Sequence, residues 1–172
     1  MNVDELTSLR AQAHPLRLQL LSLLTAQPMS AAEAARELDC TQANVSYHLR
    51  RLRDAGLLEV AEETRVRGGR MVRYRHRPTA SDRTVRRSVE DHTAIAAALT
   101  AELQRRTRLR DTDHPGHLTD AELWVDPADW QAFLDAITAA SLTLHEAARP
   151  PRAAGSIRTN ATISAFRMRG TP

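Results

Sequence analysis

Thr41-Gln42-Ala43-Asn44-Val45-Ser46-Tyr47-His48-Leu49-Arg50-Arg51-Leu52, followed by Ala55-Gly56-Leu57-Leu58, is the stretch that decides the fold. Thr41 can accept a hydrogen bond from a free amide in the first turn of a helix. Val45, Leu49 and Leu52 then share one stripe, while Ala43, Ser46, Tyr47 and Arg50 point the other way. Gly56 suits the left-handed residue that closes such a helix. One side is apolar enough to bury, and the other carries short polar groups and a cation. An α-helix fits the DNA major groove, where each base pair presents its own donor and acceptor pattern.

The flanking residues extend this pattern in both directions. Upstream, His14-Pro15-Leu16 opens a helix, with proline at a position whose amide is unpaired in any case. Leu16, Leu20, Leu23 and Leu24 form its stripe, and the helix ends near Gln27-Pro28. Ser30 and Glu33 have the spacing of a capping box, and Ala31, Ala34, Ala35 and Leu38 give the short second helix a face of mostly small residues. It stops near Asp39-Cys40. Downstream, Leu57 to Glu63 and Met71 to Arg77 read as two strands joined by Arg65-Val66-Arg67-Gly68-Gly69-Arg70, whose glycines suit a hairpin tip. Three helices, a turn and a basic hairpin in this order make a winged helix-turn-helix over residues 14–77.

Charge is segregated in the same way. The net charge of the 172 residues is only +3, and all 24 basic residues are arginine, which suggests a GC-rich, bacterial genome. From Thr41 to Arg77, nine arginines face four acids, a local balance of +5, whereas Thr119 to Glu146 holds six acids and no arginine. Only the first region is suited to phosphate. Within it, Thr41, Gln42, Ala43, Asn44, Ser46, Tyr47, Arg50 and Arg51 form the candidate DNA-reading surface. Gln42 can bond adenine in bidentate fashion, and Arg50 can reach guanine or a phosphate. Asn44 lies to the side, bonding locally or to a phosphate. Arg65, Arg67, Arg70 and Arg73 are the candidate wing cations, along the backbone or in the minor groove.

Beyond the hairpin, a long helix is expected from Ser81, with Val85, Val89, His92, Ala96, Leu99 and Leu103 alternating by four and three. Such a stripe fits either a dimer seam or packing on the helix's own domain. Residues 111–118 read as a linker. A C-terminal α+β unit then follows, with strands at Ala121 to Val125 and Ile157 to Met168 around a helix opened by Asp126-Pro127. Trp124, Trp130, Phe133 and Phe166 lie in this unit, as ordinary core or as the lining of a small-molecule effector pocket. The expected class is therefore mainly α with a small β component. Its expected divisions are a DNA-binding domain at 1–80, a dimerisation helix at 81–110, the linker and the unit at 119–172.

Other functions lack support in the residues. No phosphate-binding glycine loop, nucleophile elbow or metal-hydrolase helix is present, so no enzyme and no cofactor is expected. Cys40 is the one cysteine. It and the scattered histidines offer no metal set, and His48 reads as a structural, hydrogen-bonded residue. No apolar run is long enough for a membrane, and Asp4 and Glu5 stand where a secretory leader carries positive charge, so a cytoplasmic protein is expected.

The segments His14-Pro15-Leu16-Arg17, Ser30-Ala31-Ala32-Glu33-Ala34-Ala35 and Thr41 to Leu52, with Ala55-Gly56-Leu57-Leu58, together resemble the ArsR/SmtB-like winged-helix regulators of bacteria. The extension after residue 118 is similar to that of longer, actinobacterial-style members. The resemblance implies a homodimer that binds a partly palindromic operator in double-stranded DNA, represses, and releases DNA when an effector binds. It departs from the metal-sensing members. The short helix has only Cys40 at its end, and Asp91-His92 on the long helix has no second histidine a few turns later.

Overall fold

A computed structural model describes residues 10–66, 69–78 and 88–169. The elements run α1 (Pro15–Ala26), β1 (Met29–Ser30), α2 (Ala31–Leu38), α3 (Gln42–Asp54), β2 (Glu59–Val66), β3 (Gly69–Arg75), α4 (Val89–Thr107) and α5 (Pro127–Glu146). The three strands form an antiparallel sheet in the order β1-β3-β2. This is the expected winged helix-turn-helix in the α+β class.

Helices α1, α2 and α3 each start where the sequence supplies a partner for a free amide. The ring Nδ1 of His14 accepts from the Leu16 amide at 3.1 Å, with Pro15 opening α1. Ser30 and Glu33 complete the reciprocal capping box of α2. Thr41 Oγ1 accepts from the Asn44 amide at 3.3 Å to start α3. At the far end of α3, Gly56 adopts φ +72°. The Gly56 amide donates to the Arg53 carbonyl and the Leu57 amide to the Leu52 carbonyl, both at 2.9 Å, a paired closure that turns the chain into β2.

The core lies between α1, α2, α3 and the start of the hairpin. Leu20, Leu24, Val45, Leu49 and Leu52 are almost wholly removed from solvent. Leu21, not Leu23, completes the buried stripe of α1, because that stripe winds toward the side where Leu99 of α4 lies. In the sheet, Met29 is opposite Tyr74 and Ser30 opposite Arg73. The hairpin ladder carries an irregularity at Val60/Glu62 and runs on to Arg65↔Arg70 and Val66↔Gly69. The strands thus lie nearer the tip than their sequence suggested, beginning at Glu59 rather than Leu57 and ending at Arg75 rather than Arg77, and they run through residues that read as part of the tip. Thr64 and Val66 are β-branched and favour the ladder. Arg67 and Gly68 lie outside the described residues.

Within the described residues, the long helix runs from Val89 to Thr107. Ser88 is extended, and its Oγ accepts from the Asp91 amide at 3.1 Å, so α4 starts at Val89. The expected start at Ser81 and the seam residue Val85 lie outside the described residues. Asp91, Ala98 and Glu102 are the buried positions of α4. Asp91 pairs with Arg10 at 2.9 Å, and Glu102 accepts from Gln19 of α1 at 2.6 Å. Glu102 is 1% exposed. Burial pushes its carboxyl up, but hydrogen bonds from Arg105 and Gln19 and the charges of Arg105 and Arg106 outweigh that and hold it below the usual range.

The C-terminal region departs from expectation. Asp126 and Pro127 open α5, although the Asp126 side chain makes no cap bond. Residues 121–125 and 157–168 do not form strands in this chain. Among the described residues, no backbone amide in either segment donates to another backbone carbonyl. An alternating segment becomes a strand only when a neighbour completes its ladder, and here neither meets the other. Apart from α5, the expected β-α-β unit is therefore absent from the single chain.

Candidate nucleic-acid interface

The apolar stripe of α3 determines what its other face presents. With Val45, His48, Leu49 and Leu52 buried, Thr41, Gln42, Ala43, Asn44, Tyr47, Arg50 and Arg51 are exposed and Ser46 is half-buried. Thr41 already accepts from its own helix. Arg53 is held by Asp54 at 2.8 Å, whereas Arg50 and Arg51 have no ion pair among the described residues. The exposed face thus offers two carboxamides, a phenol and two guanidinium groups without an ion pair among the described residues.

Arg17 of α1 belongs to this surface, although nothing in its immediate sequence marked it. Its guanidinium donates to the Arg10 carbonyl at 3.1 Å. Burial lowers its pKa first and the charge of Arg51 lowers it further, while nearby Tyr47 acts in the opposite direction. Two cations close enough to repel leave a position that an anion would stabilise.

The wing shows the same arrangement. Arg65 and Arg70 are directly opposite each other in the ladder, a pairing of like charges that costs stability unless an anion joins them. Glu63 pairs with Arg70 and offsets part of this. Arg73, expected among the wing cations, is corrected. It is half-buried in the central strand, bonded to Glu33 and 3.6 Å from Glu62. A guanidinium held between two carboxylates is not available to phosphate. Arg67 lies outside the described residues.

Beneath α3, His48 is buried with its ring 4.5 Å from that of His14 and 5.1 Å from that of Tyr47. Ring contacts, rather than the expected hydrogen bond, hold it, since its Nδ1 has no partner among the described residues. Burial first, and then neighbouring positive charge, lowers the pKa of both histidines below the ordinary 6.5. The folded state therefore binds fewer protons than the unfolded state just below that value. Their contribution to stability is complete above pH 6.5 and declines as the pH falls from there toward the folded values. Thermal melts should show the melting temperature falling from pH 7 to pH 5, with a shallower fall in His48→Gln; equal slopes in the two proteins would exclude this origin.

The other expected sites are dispersed. Along α4, Val89, His92, Ala96 and Leu103 are exposed and Leu99 is half-buried. In the C-terminal region, the Trp130 and Phe133 rings lie 5.7 Å apart, but Trp124 is 90% and Phe166 67% exposed. The four aromatics are neither core nor an enclosed pocket, because the strands that would bring them together do not form in the chain. The concavity beside Trp124 is walled by Val125, Asp126 and Asp129. A separate cleft of about 250 Å³ lies between α1, α4 and residues 161–163, with Leu18, Leu21, Leu99 and Ile163 among its apolar walls and Arg106 and His145 at its edge. Among the described residues, no group of three or more His, Cys, Asp or Glu side chains could hold a metal ion, and no helix is long and apolar enough to cross a membrane.

Comparison with known proteins agrees with this geometry. Residues 13–61 match the family described as a helix-turn-helix domain. An uncharacterized HTH-type transcriptional regulator of Methanocaldococcus jannaschii is 37% identical over 57 residues, which cover 33% of this chain and 60% of the relative. Both likenesses are confined to part of the chain. Residues 13–61 thus carry a helix-turn-helix domain, with the three-stranded sheet completing its winged form.

Proposed function

We propose that the protein is a sequence-specific DNA-binding transcriptional regulator that acts in the cytoplasm as a homodimeric repressor. The observation that carries this reading is the exposed face of α3, with Gln42, Tyr47, Arg50 and Arg51 turned outward beside Arg17. In this reading α3 enters the major groove. Gln42 and Arg50 read base edges, Ser46 and Tyr47 fit the groove beside them, and Asn44, Arg17 and Arg51 meet phosphates. The opposed Arg65 and Arg70 place the hairpin on the flanking backbone.

The dimer reading rests on α4. Its buried side faces the chain's own α1, which leaves Val89, His92, Ala96 and Leu103 exposed for a second copy. A two-fold pair would place the two α3 helices on half-sites about one DNA turn apart.

Selection from random duplexes tests the proposal and supplies an operator. Gln42→Ala should then cost about 1–3 kcal/mol of binding free energy and relax one base position in each half-site, whereas Arg65→Ala should weaken all sequences alike. Failure to enrich any sequence would instead favour a winged helix used to bind protein. The cleft between α1, α4 and residues 161–163 supports a second, compatible reading, in which a small effector bound there controls DNA release.

A further inference from the structure

Among the described residues, the large apolar side chains left in solvent are concentrated in the second half of the chain. Tyr47 and Val60 belong to the winged helix, but the remaining exposed large hydrophobics among the described residues lie from Val89 onward. Leu118 is 91%, Trp124 90% and Ile157 85% exposed. Helix α5 buries no residue, and the segments 118–125 and 157–168 are without backbone partners among the described residues. So much uncovered apolar surface marks an interface.

The charges indicate what covers it. Thr119 to Glu146 contains Asp120, Glu122, Asp126, Asp129, Asp135 and Glu146 and no arginine, whereas Arg149 to Arg169 contains five arginines and no acid. Among the described residues these two sets make no ion pair with each other, and Arg152 instead reaches Glu37 of α2 at 2.5 Å. Each chain therefore carries an acidic segment and a basic one, both apolar at intervals and neither with a backbone partner among the described residues. A second copy supplies the complement of each.

We propose that the C-terminal regions of two copies complete one another, residues 118–125 of one chain pairing with 157–168 of the other, twice about a two-fold axis. Residues 157–168 lie beside α4, because Arg106 of α4 donates to Asn160 at 3.1 Å and Leu99 and Ile163 share a cleft. The inference rests on the homodimer reading and adds a second contact to it.

Full-length variants with exposed charges reversed test the exchange. One carries Asp120→Arg and Glu122→Arg, the other Arg158→Glu and Arg167→Glu. Sedimentation equilibrium should show self-association of each variant weakened on the order of tenfold or more. In an equimolar mixture, native mass spectrometry should show the mixed dimer in excess over both parents, since each segment then meets its opposite charge in the partner. If the segments paired within one chain, mixing would rescue nothing, and that result overturns the inference. Reversals that leave a wild-type dimer unweakened overturn it as well, while leaving the dimer reading intact. A wild-type chain that remains monomeric overturns both.

Discussion

Leu49→Ala is expected to lower the free energy of unfolding by about 2–5 kcal/mol, the range for truncating a buried leucine in a packed core, read as a shift in the urea midpoint. Leu49 is 1% exposed and lies in one cluster with Leu20, Leu24, Val45 and Leu52. Three helices and the start of the hairpin meet there, so surrounding groups cannot collapse into the gap without moving α3. Such a loss is a large fraction of the stability of a domain this size. The same change should weaken DNA binding even where the protein remains folded, because it loosens the seat of the reading helix. A midpoint unchanged within error would mean that α3 does not pack as described.

The second large effect is expected in binding. In the proposed complex, Arg17, Arg50, Arg51, Arg65 and Arg70 meet DNA in each copy, ten guanidinium groups in a pair of chains if all engage. Association then displaces condensed cations, and with 6–10 phosphate contacts affinity falls about 10³- to 10⁵-fold between 50 and 200 mM salt. Fluorescence anisotropy over a salt series measures the slope. Arg17→Ala should reduce its magnitude by about two, one contact in each copy. A flat salt response would refute the placement of these arginines, and an unchanged slope in Arg17→Ala would remove that residue from the interface.

Much of the winged helix was legible because its signals are local. Pro15, the Ser30 and Glu33 pair, Thr41 and Gly56 each act within one turn of the backbone they fix. What depended on distant partners was harder to read. Two residues at Met29–Ser30 are too few to show alternation, and they form β1 only because Tyr74 and Arg73 lie opposite. Arg73 looked like its neighbouring wing arginines until the fold brought Glu33 against it. Arg17 reached the reading surface through the crossing of α1 and α3, which no spacing in sequence reveals. Ser88, by contrast, stands three residues before Asp91 and could have been recognised as a cap. The alternation at 121–125 and 157–168 describes what those segments could pair with, and the single chain contains no such pairing.

Glu33 accepts from the Ser30 amide and hydroxyl, both at 2.8 Å, and also holds Arg73 of the central strand. One carboxylate thereby fixes the start of α2 to the base of the hairpin. The hairpin cannot swing without dragging the helix-turn-helix along, so the angle between wing and reading helix is set before any DNA is met. In the proposed complex, the ordering entropy of that angle is spent in folding and does not subtract from affinity. An operator must then adapt its own groove width to the protein, which makes easily deformed flanking sequences the ones it should favour.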